Sequence, residues 1–271
     1  MRRPAVFPRL ISSSLLLCAA AFLSASPVSA QDLAGDEHRF IQIFIEDAAI
    51  VENGWVEGQF RWQDLDQFDS RISFGPVVAF SPVDRLEVGG RFDFVNLDFG
   101  RDSESGISDT TVYGKWQIFR NPIEFTIGGE LSLPTGDEDD RLGTGEVDAA
   151  IFGAVRKNFD EAYVTGHFGF RANQDADVGS NLGPGLAVNL DGKASVFLGA
   201  AVMIPRGDRW AVSGELTVET ERYEQTDSAI EFTVGGYWFA GNNLTFRAGV
   251  GLGLADASPD LEVVAGIVGH F

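Results

Sequence analysis

Cysteine, lysine, histidine and long apolar runs are all scarce in this 271-residue sequence. One Cys, Cys18, excludes a disulfide-stapled scaffold. Lys plus Arg number 20 against 40 Asp plus Glu, a formal charge of −20. A nucleic-acid binder needs a basic footprint to displace counterions, so no nucleic acid is expected as a partner. Only His38, His167 and His270 are available for histidine chemistry. With no G-x-S-x-G, no His-rich cluster and no metal-ligand spacing, no catalytic residue, metal or cofactor is expected. After residue 30 no apolar run approaches the roughly 20 residues of a membrane-spanning helix. The 44% hydrophobic fraction is too high for a disordered acidic chain.

The first thirty residues form a separate unit. Arg2, Arg3 and Arg9 precede an apolar stretch from Leu10 to Leu23, and Val28-Ser29-Ala30 puts small residues at −3 and −1. This is the pattern of a secretory signal peptide cut after Ala30. Taking away 30 residues leaves 241, and taking away three Arg charges moves −20 to −23. Residues 31–54 follow as a short N-terminal segment with an apolar run at Phe40–Ile45 that does not alternate cleanly. It fits a periplasmic segment, a short plug or an extra strand.

From about residue 55 the dominant period is two. Leu261, Val263, Ala265, Ile267, Gly269 and Phe271 alternate with Glu262, Val264, Gly266, Val268 and His270. Leu244–Leu254, Ile230–Ala240, Trp210–Thr220 and Ile123–Leu133 alternate in the same way, as do seven further stretches between Val56 and Ile204. Strict alternation over this length reads as strands. The ladders are twelve, each about as long as the 9–11 residues of a transmembrane strand. Short turns, such as Arg120-Asn121-Pro122, alternate with longer acidic connectors at Asn96–Asp109, Pro134–Gly145, Ala172–Lys193, Glu221–Ala229 and Ala255–Asp260. The expected fold is all-β: a twelve-stranded antiparallel up-and-down β-barrel over residues 55–271 in an outer membrane. Counting Gly183–Leu190 and Phe40–Glu46 as strands gives fourteen. A secreted sandwich also alternates, but its wet face would be rich in Lys and Thr. Only Lys115, Lys157 and Lys193 occur here.

In a barrel the polar parity faces the lumen, because Arg or Lys on the lipid face costs about 2–4 kcal/mol at midplane. The lumen-lining candidates are Arg71, Arg91, Asp93, Lys115, Glu124, Glu130, Asp148, Arg156, His167, Arg171, Glu215, Glu219, Glu231 and Arg247, with Glu57, Arg61, Glu87 and Glu262 on the same parity. They fit two readings, a pore lining that selects solutes or a salt-bridged interior that holds the barrel together. The loop Asp137-Glu138-Asp139-Asp140 offers oxygen ligands without the spacing of a calcium loop.

Several stretches carry resemblances. The last strand alternates apolar residues and ends on Phe271. It resembles the signal by which the barrel-assembly machinery recognises outer-membrane proteins, with Gly269 departing from the bulky residue often found there. Gly129-Glu130-Leu131-Ser132-Leu133-Pro134-Thr135-Gly136-Asp137, then Leu142-Gly143-Thr144-Gly145 and Asp148, resemble the phenol-degradation MetA-pathway family of outer-membrane proteins. So do Gly214-Glu215-Leu216, Glu219-Thr220-Glu221-Arg222, Gly251-Leu252-Gly253-Leu254 and Ser258-Pro259-Asp260. The resemblance spans about residues 50–271. It implies a barrel with a transport role, whose partners are a small-molecule solute, outer-membrane lipid and lipopolysaccharide.

Overall fold

The computed structural model describes residues 41, 47–51, 53–65, 68–98, 103–179, 188–241 and 243–271. Residues 1–30, where a signal peptide is expected, His38 and the run Phe40–Ile45, apart from Ile41, lie outside the described residues.

Sixteen strand segments follow in chain order: β1 (Gly54–Leu65), β2 (Phe68–Val83), β3 (Leu86–Arg91), β4 (Phe94–Asp98), β5 (Ser103–Ile107), β6 (Thr110–Phe119), β7 (Glu124–Leu133), β8 (Asp148–Asn158), β9 (Tyr163–Ala172), β10 (Ala176–Val178), β11 (Val188–Leu190), β12 (Ala194–Pro205), β13 (Trp210–Glu219), β14 (Ala229–Gly241), β15 (Leu244–Gly253) and β16 (Leu261–His270). Every pairing is antiparallel between neighbours, and β1 pairs with both β2 and β16, which closes the sheet. Closure leaves β5, which pairs only with β4, as the one described wall strand with an unpaired side.

Twelve strands make the wall. β3 and β4 both pair with β2 on the same side, and β5 and β6 continue one another in the same manner. Each couple is one long strand interrupted at Phe92-Asp93 or Ser108-Asp109, bridged where the Ser108 amide donates to the Asp93 carbonyl at 2.8 Å. The connector expected at Asn96–Asp109 is therefore a hairpin that prolongs the wall, because its own alternation continues: Val95 and Leu97 turn inward and Phe94 outward. Within the long connector Ala172–Lys193, Val188–Leu190 pairs with Ala176–Val178 outside the barrel sheet. The ring closes with twelve strands, without Val188–Leu190; Phe40–Glu46, the other strand of the fourteen-stranded alternative, lies outside the described residues apart from Ile41.

Alternation along each strand becomes alternation of burial. In β12 every second residue from Ser195 to Pro205 is covered and its neighbour is exposed or half-exposed. The outward side is apolar: Phe74, Ile127, Ile151, Phe168, Phe170, Leu198 and Val234 are all exposed. A continuous apolar band of this extent belongs in lipid. Toward the short-turn end, Trp210 stacks on Trp238 at 6.1 Å and Trp238 on Phe246 at 5.3 Å, an aromatic girdle.

At the opposite end the long loops are stapled to one another. Asp109 accepts the Gly136 amide at 3.0 Å and the Thr144 amide at 2.9 Å. Gly143 packs so closely here that a Cβ would sit 2.3 Å from Asp109 Oδ1. Leu142 thereby packs on Val95 and Leu97 inside the prolonged wall. Burial pushes the Tyr223 phenol above its ordinary pKa in the loop after β13.

A charge on the outward face is expected to be costly. Ile127→Arg, near the middle of β7, should lower the unfolding free energy in lipid vesicles by about 2–4 kcal/mol, measured by urea titration. A soluble β-protein would take the change within a few tenths of a kcal/mol.

Candidate functional site

All fourteen lumen candidates sit on the inward parity of the wall, and the structure divides them into two tiers. The tier at the short-turn end is filled by a segment that is not part of the wall. Of residues 31–54, Ile41 and residues 47–51 pack against inward-facing side chains of the wall. Gln117 Nε2 and Thr126 Oγ1 donate to the Ala48 carbonyl at 3.0 and 2.5 Å. Lys115 Nζ donates to the Asp47 carbonyl at 3.1 Å. Arg156 pairs with the Asp47 carboxylate at 3.4 Å, both buried. Glu215 accepts the Ile41 amide at 3.0 Å, and Glu87 accepts the Val51 amide at 3.4 Å. Buried backbone groups must find partners, and here charged wall residues supply them.

Size matches as well as polarity. Ile41 is buried with Ala201, Met203, Ala211, Tyr237 and Val264. A Cβ on Gly235 would stand 2.4 Å from its Cγ1, and one on Gly249 would stand 2.8 Å from its Cγ2. Inward glycines thus hollow the wall where the segment enters. The same device seats wall side chains: Phe152 fills the recess at Gly128 and Phe197 the one at Gly169. Between these two rings stands His167, at 5.3 and 5.1 Å. Sequence reasoning missed this role of glycine, although Gly235, Gly249, Gly251 and Gly253 all fall on the polar parity.

The remaining wall charges of this tier pair with one another. Arg247 Nε donates to Glu57 Oε1 at 2.6 Å, with both side chains fully buried. Lys115 Nζ meets Glu87 Oε1 at 3.2 Å. Glu124 sits at the rim, accepting from Gln117 at 3.2 Å.

Toward the long loops the second tier holds Arg71, Arg91, Asp93, Glu130, Asp148, Arg171, Glu219 and Glu231. Arg171 bridges Glu130 and Glu219, each at 3.2 Å. Arg61 binds Glu262 at 3.0 Å. Arg222, which the alternation did not single out because it lies in a loop, binds Asp148 at 2.9 Å and Asn173 at 2.9 Å. Thr233 Oγ1 donates to Glu231 at 3.4 Å.

Breaking a fully buried ion pair leaves an uncompensated charge. Glu57→Ala should therefore cost about 3–5 kcal/mol in detergent-solubilised barrel, read as a lowered unfolding midpoint. The double change Glu57→Met with Arg247→Met should recover most of that loss, since neither charge then remains.

No protein-family model and no curated protein sequence matches this chain. Solved structures do share its fold. An outer membrane channel from Pseudomonas putida F1 superposes with a TM-score of 0.62 at 15% identity, covering 86% of this chain and 100% of that one. The KdgM porin gives 0.54 at 10% identity, and the NanC porin 0.53 at 8%, each over 80% of this chain and 99% of its own. At such identities the likeness is one of architecture, the closed antiparallel barrel described above.

Proposed function

We propose that this chain is an outer-membrane channel that passes small solutes, hydrophobic or aromatic compounds among them, through its lumen. One observation carries the reading: Ile41 and residues 47–51, which are not part of the wall, occupy the short-turn half of the lumen. Eight-stranded barrels fill themselves with side chains, and sixteen-stranded porins stay open. Twelve strands enclose a space between these limits, and here Ile41 and residues 47–51 occupy it. The sheet closes through β1, β2 and β16 without this segment, so its withdrawal would leave the pairing of the wall intact.

On this reading the chain is exported by a signal peptide cut after Ala30 and inserted by the barrel-assembly machinery, with Phe271 as its signal. The short turns face the periplasm, and the acidic loops meet lipopolysaccharide. The motifs around Gly129–Asp137 and Gly251–Leu254 support membership of the phenol-degradation MetA-pathway family. The lumen side chains line a path and bind weakly along it, which is what conduction requires. The reading assigns no catalytic role, and His167 stands between the Phe152 and Phe197 rings.

Planar-bilayer recording of the purified protein tests this reading. The mature chain should show small unitary currents, and deletion of residues 31–51 should enlarge them. Gly235→Val, which presses on Ile41, should have the same sign of effect with a smaller size. A barrel that is silent both with and without residues 31–51 would instead have a structural or interaction role.

A further inference from the structure

The loop between β13 and β14 leans over the long-loop mouth of the lumen. Arg222, three residues past the end of β13, donates to Asp148 at 2.9 Å. Asp148 opens β8 on the inward parity and is buried. The wall order here is β13, β12, β9, β8. The contact therefore crosses three strand spacings, about 14 Å along the rim. On the way the loop rests on the connector into β12. The Lys193 amide donates to the Arg222 carbonyl at 2.9 Å, and Gly192 bridges to Tyr223. Arg222 Nε donates to Asn173 Oδ1, just past β9, at 2.9 Å.

Behind these contacts stands Ser195. Asn173 Nδ2 donates to Ser195 Oγ at 3.4 Å, and Ser195 donates to Glu219 at 3.0 Å. Ser195 is the second residue of β12, close to the mouth, yet it is fully buried. Full burial at that height needs a cover, and the loop is in place to supply it.

Two features make the loop a separate moving part. The wall ladders stop before it: the β13–β14 register ends with Glu219 opposite Ala229, and Thr220 donates the last amide to Val196. Its hold is also almost wholly polar. Of residues 220–228 only Tyr223 is buried. The Tyr223 hydroxyl makes no hydrogen bond with a described residue, although Asp148, Asp109 and Arg171 are within electrostatic reach. A buried unpaired hydroxyl is costly, and outward movement would return it to water. Segments with few buried apolar contacts open at low free energy.

We propose that residues 221–228 form a lid over this side of the mouth, latched by Arg222 on Asp148. The lid opens as a unit about Thr220 and Ala229 and uncovers the lumen around Ser195. It regulates entry to the proposed channel, and it rests on the channel reading only for what passes when the lid is open.

The one cysteine, Cys18, lies in residues 1–30, so in the mature chain an introduced thiol reports alone. Ser195→Cys places a thiol under the lid. Thr165→Cys places one deeper on β9, where the side chain is also buried. The rate at which N-ethylmaleimide modifies each thiol in the detergent-solubilised mature protein, read by mass, tracks the open fraction. Adding Asp148→Asn should speed modification at Ser195→Cys by about fivefold or more and leave Thr165→Cys unchanged. Reversing the pair, Arg222→Asp with Asp148→Arg, should return the slow rate. Heat-modifiable gel mobility confirms that each variant is folded; if Asp148→Asn is not, Arg222→Gln gives the same comparison. An unchanged rate at Ser195→Cys, an equal rise at Thr165→Cys, or no recovery on reversal would overturn the lid. A latch-dependent rate at Ser195→Cys in a protein that passes no current would overturn the channel reading alone.

Discussion

Everything in this molecule hangs on the pairing of β1 with both β2 and β16. That double pairing turns a row of hairpins into a closed ring, with only the projecting β5 paired on one side. It also creates the distinction between inside and outside. Once closed, one parity of every strand must be compatible with hydrocarbon and the other with a confined, partly dry lumen. An open sheet of the same strands would impose neither condition.

The confined side must deal with its charges. Near the short turns the solution is mutual neutralisation: Glu57 with Arg247, Glu87 with Lys115, and Arg156 with Asp47 of the entering segment. Nearer the loops, acids and arginines are close to one another but incompletely paired. The first arrangement holds a fixed shape, because each partner would be stranded without the other. The second mixes both signs, with Arg171 shared between Glu130 and Glu219.

Glycine links these themes. On the inward parity it is the one residue that leaves the space a Cβ would take. Gly235 and Gly249 admit Ile41, and Gly128 and Gly169 admit the phenyl rings. These four glycines mark where large groups cross the wall's inner surface. From sequence they read only as a small-residue lumen, because the group that fills each recess comes from elsewhere in the chain.

The sequence by itself determined the wall. Alternation is local: the side chain that follows an apolar residue on a strand points the other way, whatever the strand is paired to. Strand number, the side of each charge and the alternation of short and long connectors follow from that. What tertiary structure decided is which groups meet. Arg61 and Glu262 are 201 residues apart, Glu57 and Arg247 are 190 apart, and Ile41 and Glu215 are 174 apart. No local period encodes those separations. The run at Phe40–Ile45 carries no alternation that would assign it to wall or lumen, and only closure creates the interior in which Asp47 and Ala48 find their partners. Likewise Asn96–Asp109 reads as a polar loop until pairing of β4 with β2 and of β5 with β4 prolongs the wall through it. Inside and outside were legible residue by residue; occupancy of the inside was not, because it depends on the closed ring as a whole.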